Sequence, residues 1–179
     1  MPRIAQPLSI EYILLGVLLQ KPMHGYDLYK YLNTDPVLGQ IWNIKQSLLY
    51  AMLDKLEELE LVCSELLNTG SLPVKREYQI TGKGENAFWE WANSPVVHPR
   101  EMRMEFLAKL TFVYQIDRQK AVDLLQSQRE VAFNWLENLH QRMAEEDSDI
   151  PTKMVLDYKQ SQIEAMITWL DFNIENIQH

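Results

Sequence analysis

The sequence predicts a mainly α-helical chain with one small β-hairpin, and three observations carry that prediction. Apolar residues recur at helical spacing in three short segments before residue 60. Two β-prone runs, "LVCSELLN" and "REYQIT", flank the Gly- and Pro-bearing stretch "TGSLPVK". From residue 117 onward, two long segments carry continuous apolar stripes. Three helices, a hairpin and a fourth helix make a winged helix-turn-helix domain, expected over residues 1–94. The long helices make an α-helical dimerisation domain, expected over residues 95–179.

The first helix starts at "LSIEYILLGVLLQKP", where Ser9 suits an N-cap because its hydroxyl accepts an orphan backbone N–H. Ile10, Ile13, Leu14, Val17 and Leu18 form its inward stripe, and Pro22 stops it. "MHGYDLYKYLN" predicts a second helix from about Gly25 to Leu32, with Leu28 and either Tyr31 or Leu32 inside. "NTDPVLGQ" reads as a loop. In "IWNIKQSLLYAMLDKLEELELV", Asn43 and Gln46 have capping-box spacing, which starts the third helix near Ile44. Leu49, Met52, Leu53 and Leu56 form its buried face. After the hairpin, Thr81 caps "GKGENAFWEWANS", with Phe88, Trp89 and Ala92 inside.

In the second half, "PREMRMEFLAKLTFVYQ" carries Met104, Leu107, Leu110 and Phe112 in a short helix. A long helix from Asp117, spanning 118–145, has Val122, Leu125, Arg129, Ala132, Leu136, Leu139 and Met143 as its stripe, with Arg129 a polar break. "SDIP" interrupts it. The last helix turns Val155, Tyr158, Ile163, Met166, Leu170, Ile174 and Ile177 inward. Two such stripes joined by a short turn need a partner surface, and a second copy of the chain is the expected one.

The composition bounds the function. With 179 residues and 46% hydrophobic content the chain folds. No apolar run approaches the ~18 residues of a membrane span, and "MPRIAQPLS" lacks a leader's apolar core. The single Cys63 excludes an internal disulfide and fits a cytoplasmic location; in its strand it reads as a small buried hydrophobe. The net charge of −8 runs against nucleic-acid binding at first sight. Up to Ser94 there are eight Lys/Arg against eleven Asp/Glu, and after it nine against fourteen. DNA affinity therefore has to come from local clusters.

One such cluster opens the third helix, which in a winged helix-turn-helix enters the major groove by its first turns. Lys45, Gln46, Ser47 and Tyr50 lie off the buried face there. Gln46 suits a base edge, and Lys45 and Ser47 suit phosphates. Lys75 and Arg76 beside the hairpin loop supply the wing's positive charge, with Lys30 and Lys83 as weaker candidates. Glu57, Glu58 and Glu60 fall toward the far end of the third helix, away from the proposed contacts.

Residues 9–92 resemble the PadR-like transcriptional regulators. The resemblance rests on "SIEYILLGVLLQKPMHGYDLYKYL", on "SLLYAMLDKLEELELV", and on "KREYQITGKG", where the basic pair, Tyr78, Thr81 and Gly84 follow the family's order. It implies a homodimeric DNA-binding winged helix, commonly a repressor, and permits a small aromatic effector between subunits. "MRMEFLAKL" and the helices after it resemble the family's longer-tailed subgroup. The chain departs from the family at Glu60, where Gly is common, and in a wing loop with few basic residues.

Enzymatic and metal sites find no support. His24, His98, His140 and His179 lack metal-ligand spacing, "GKG" is too short for a phosphate-binding loop, and no nucleophile–base pair stands out. No cofactor is expected. Trp89, Trp91, Trp135 and Trp169 read as packing residues, with an effector pocket as the sharper alternative. The competing function is a protein-interaction adaptor that keeps the winged fold without DNA; a positive strip along Lys45, Lys75 and Arg76 distinguishes the regulator from it.

Overall fold

A computed structural model describes residues 9–67, 75–145 and 149–178, and the side chains of all of these except Ser9, Ile10, Leu67 and Lys75. The expected hairpin loop of Thr69–Val74 lies outside the described residues. The chain divides into two compact units. The first runs to Ala92 and includes Leu107–Phe112; the second holds Asn93–Phe106 and the residues from Val113 onward.

In the first unit the elements are α1 (Ser9–Gln20), β1 (Met23–His24), α2 (Gly25–Thr34), α3 (Leu38–Ile41), α4 (Gln46–Glu58), β2 (Val62–Leu67), β3 (Lys75–Ile80) and α5 (Gly82–Ala92). The core forms where their stripes meet: Ile13, Leu14, Val17 and Leu18 of α1, Leu28 and Leu32 of α2, Leu49, Met52, Leu53 and Leu56 of α4. Each such side chain contributes about 1.5–3 kcal/mol by leaving water. Of the two candidates on α2, Leu32 is the buried one.

The structure corrects several details. The hairpin is part of a three-stranded antiparallel sheet in the order β1-β3-β2, because Met23 and His24 pair with Tyr78 and Glu77. The segment read as a loop after α2 contains α3. Asp35 Oδ1 accepts the backbone N–H groups of Val37 and Leu38, at 2.9 and 2.8 Å, and so nucleates that turn. Cys63 is exposed, since strand alternation turns Val62 inward and Cys63 out. In α5 the inward tryptophan is Trp91, stacked on Tyr12 with ring centroids 5.2 Å apart, while Trp89 is half-buried.

The exit of α4 explains how the chain does without the family's glycine. Glu60 adopts a left-handed backbone, φ 58°. Around it the N–H of Glu60 donates to the carbonyl of Glu57 and that of Leu61 to the carbonyl of Leu56, both at 2.9 Å. This is a Schellman turn, with buried Leu56 and Leu61 completing its apolar side. Lys83 Nζ donates to the Leu59 carbonyl at 2.9 Å and pairs with Glu60 at 3.3 Å, so this cation closes the helix end. Thr81 caps α5 as expected, its Oγ1 accepting the Gly84 N–H at 3.0 Å.

The second unit begins with a 3-10 turn (Pro99–Glu101) and a π-helical turn (Met102–Phe106). They lead into α6 (Leu107–Ile116), followed by α7 (Arg118–Glu145) and α8 (Ile150–Gln178). The buried apolar residues around α6 are Met102, Phe106, Ala108, Phe112 and Val113; the expected Met104, Leu107 and Leu110 are half-buried. Of these, Ala108 and Phe112 belong to the first unit, where Phe112 is edge-on to Phe88 with centroids 5.6 Å apart. Asp117 caps α7 through the N–H groups of Gln119 and Lys120.

On α7 the expected stripe holds at Val122, Leu125, Ala132 and Leu139. Its polar break, Arg129, is ion-paired with Asp171 of α8 and lies 4.8 Å from the Phe133 ring. Gln128, a polar residue of α7, is fully buried. Its carboxamide clamps the Val96 backbone, accepting the N–H at 2.7 Å and donating to the carbonyl at 3.2 Å. On α8 the inward set is Leu156, Ile163, Ile167 and Leu170, whereas Val155 and Tyr158 are exposed.

Candidate nucleic-acid interface

The start of α4 is not where the capping-box spacing puts it. Ile44 is buried, and its backbone is held by the Asn33 side chain: Ile44 N–H donates to Oδ1 at 3.3 Å, and Nδ2 donates to the Ile44 carbonyl at 3.5 Å. Residue 44 is thereby fixed outside the helix, which begins at Gln46 with Lys45 as N-cap. Lys45 is extended, ψ 144°, and provides no side-chain cap. Its carbonyl accepts the N–H of Leu48 at 3.0 Å and of Leu49 at 3.2 Å. The positive end of the helix is left to other partners.

Lys45, Gln46 and Ser47 are exposed together on this turn. Tyr50 is different. A Cβ added at Gly25 would lie 2.6 Å from its Cε1 and 3.0 Å from its hydroxyl, so the Tyr50 ring packs over Gly25 and is half-buried. Its first role is to join α2 to α4, and the glycine of "HGY" is what allows that approach. The sequence reading passed over Leu48, whose side chain is 48% exposed on the same turn. Further along the outward face come exposed Ala51, Asp54 and Glu58. The carboxylates begin two turns in, so only the neutral-to-basic first turns suit a phosphate backbone.

The wing candidates separate. Lys75 opens β3, paired with Leu67, and its side chain lies outside the described residues. Arg76 faces α4. Its Nη2 donates to Glu57 Oε2 at 2.6 Å, its Nε donates to Ser64 Oγ at 2.7 Å, and its Nη1 lies 3.5 Å from Asp54 Oδ1. Ser64 Oγ in turn donates to the other oxygen of Glu57 at 2.6 Å. The guanidinium sits 5.3 Å from the buried Tyr78 ring. Burial pushes the Tyr78 phenol above its ordinary pKa, and the Arg76 charge partly opposes this. Glu57 is therefore not remote from the wing. On the opposite face of the stem, Glu65 and Glu77 sit directly across from each other, a like-charge pair.

In the second unit a groove of about 490 Å³ is lined by Gln126, Arg129, Glu130, Asp171, Ile174 and Glu175. Its charged lining does not resemble a pocket for a flat aromatic compound. Among the described residues no group of three His, Cys, Asp or Glu side chains is placed to hold a metal ion, and no helix is long and apolar enough to cross a membrane.

Residues 14–90 match the model of the "Transcriptional regulator PadR-like family", and residues 102–178 match one described as "Virulence activator alpha C-term". The negative transcriptional regulator PadR of Bacillus subtilis (strain 168) is 29% identical over 119 residues. That match covers 66% of this chain and 64% of the relative, so the chain spans less than two thirds of the relative's length. The crystal structure of Bacillus subtilis PadR with operator DNA is 24% identical, covering 95% of this chain and 99% of that one, with a TM-score of 0.48. The same protein with p-coumaric acid gives 23%, 96% of each chain and 0.43.

Proposed function

We propose that this chain, whose residues 14–90 match the PadR-like regulator model, is a sequence-specific repressor of that kind, which binds a promoter operator as a homodimer in the cytoplasm. The observation that carries the DNA reading is the exposed, side-chain-uncapped start of α4, where Lys45, Gln46 and Ser47 stand together ahead of the first carboxylate. In this reading Gln46 takes a base edge, Lys45 and Ser47 take phosphates, and Tyr50 adds its hydroxyl. Lys75 belongs to the wing's part of the interface, whereas Arg76, expected there from the sequence, is held in the wing's stem by Glu57 and Ser64. Anisotropy on labelled duplexes from the protein's own promoter region tests it: binding no tighter than to random DNA at low salt sinks the proposal.

Gln46→Ala should flatten sequence preference, because a bidentate amide–base pair discriminates by about 1–3 kcal/mol. The measurement is affinity for the operator and for a random duplex. Equal weakening of both would make Gln46 a backbone contact.

The homodimer rests on α8. Met154, Val155, Tyr158, Trp169 and Phe172 are exposed there, on a helix whose other face is already buried. A second copy is the partner proposed for this face. Sedimentation should give twice the 21.1 kDa chain mass. Truncation after Ile116 removes α7 and α8 yet keeps Leu107–Phe112, which the first unit needs, and should give a monomer. A shortened chain that stayed dimeric would overturn the assignment. Control by a small aromatic effector belongs to the same reading; release of bound DNA on titrating such compounds tests it. Activation is the second reading, favoured by the description of the model matching residues 102–178. A promoter–reporter fusion with and without the protein separates the two.

A further inference from the structure

We propose that Arg76 is a positioning residue, which locks the stem of the wing onto α4 and so sets where the wing falls on DNA, without itself neutralising a phosphate; the proposal rests on the DNA reading above. Three elements meet at this side chain: Glu57 from α4, Ser64 from β2 and Arg76 from β3. The contacts form a closed ring. Both Glu57 oxygens are occupied, one by the Ser64 hydroxyl and the other by Nη2. Nε and Nη2 have hydrogen-bond acceptors on β2 and α4, Nη1 has an ion-pair contact with Asp54 of α4, and the guanidinium carbon lies over the Tyr78 ring.

A phosphate would have to draw Arg76 out of that ring. The exchange swaps one anion for another, so it gains little by Coulomb attraction. It also returns an unpaired Glu57 carboxylate to the helix that approaches the DNA. The planar fork of arginine is suited to spanning several fixed acceptors at once, whereas a lysine offers one compact charge. A phosphate contact tolerates lysine, and a three-way clamp does not. The two roles therefore predict different responses to the same conservative change.

The experiment uses the full chain and a duplex selected by the wild-type protein from a randomised pool. Affinity and its salt dependence are measured well below each variant's melting temperature, so that stability alone does not move the readout. Arg76→Gln, Arg76→Lys and Glu57→Gln should each weaken the selected duplex by about fivefold, and Arg76→Gln with Glu57→Gln should be no worse than either alone. Affinity for random DNA and the log–log salt slope should stay unchanged.

The proposal is overturned if Arg76→Lys binds like the wild type, if Glu57→Gln tightens binding, or if Arg76→Gln makes the slope shallower by about 0.9 per lost contact. It is equally overturned if none of the variants changes affinity. Failure of the wild-type protein to select any duplex is a separate result. It removes the DNA reading itself, and the inference with it.

Discussion

Gly84→Ala should destabilise the first unit by about 3 kcal/mol or more, toward the upper end of what overpacking costs. Gly84 sits in the first turn of α5, where alanine has the better helix propensity, so local preference alone predicts a gain. The packing forbids it. A Cβ there would stand 2.0 Å from the Leu61 carbonyl oxygen and 2.9 Å from Ile80 Cγ1. That oxygen has no room to retreat, because it accepts the Thr81 N–H at 3.0 Å and lies 3.1 Å from the Thr81 hydroxyl. The same carbonyl follows the left-handed Glu60, so any shift propagates into the end of α4. Gly82 provides the internal control. A Cβ at Gly82 meets nothing within 4 Å. Gly82→Ala should therefore be neutral or stabilising by about 0.4–1 kcal/mol, through the unfolded chain. Urea melts of the two variants decide the matter. Equal stability would mean that α5 can slide away from the β2 entry, contrary to the close approach described.

That pair of glycines illustrates what the sequence reveals and what it hides. "TGKG" announces a helix start, and Thr81 is the cap that it promises. Nothing in the string says that the second glycine alone is pressed against a carbonyl, since Leu61 is 23 positions away. The same limit governs the start of α4. Asn43 and Gln46 have the right spacing for a cap, but Asn33 reaches across from α2 and takes the Ile44 backbone first. β1 is two residues long, too short for any alternation to register. On α8 the phase was ambiguous because the helix is apolar on two sides. Periodicity identified the helix but put Val155 and Tyr158 inward, where Leu156 is the buried residue. Site residues followed the same rule. Lys45, Gln46 and Ser47 are close in sequence, so one helical turn suffices to bring them together. Arg76 depends on hairpin register and on α4 at once, and its ties to Glu57 and Ser64 were illegible without both.

The orientation of α4 also rests on a buried charge pair, and Lys55→Met is the variant that exposes it. Glu11 of α1 is 2% exposed, yet both its oxygens accept from Lys55 Nζ, at 2.8 and 3.0 Å. Glu11 falls in the first turn of α1, where a carboxylate is favoured by the helix dipole. Its long-range partner was not visible in the sequence. Removing one member of a buried pair costs about 3–5 kcal/mol, mostly from the charge left behind. Lys55 is partly exposed, so the lower end, about 3 kcal/mol, is expected. Removing both charges should recover much of the loss, because desolvating two ions offsets most of their attraction. Glu11→Gln combined with Lys55→Met should therefore be more stable than Lys55→Met alone. Urea midpoints measure both steps. A Lys55→Met protein as stable as the wild type would show that the pair does not hold α1 to α4. A double variant no better than the single would place the cost in the lost packing of the lysine stem. If the pair's task is only to hold α4 in place, the double variant should also regain affinity for the selected duplex, since neither charge lies among the proposed DNA contacts.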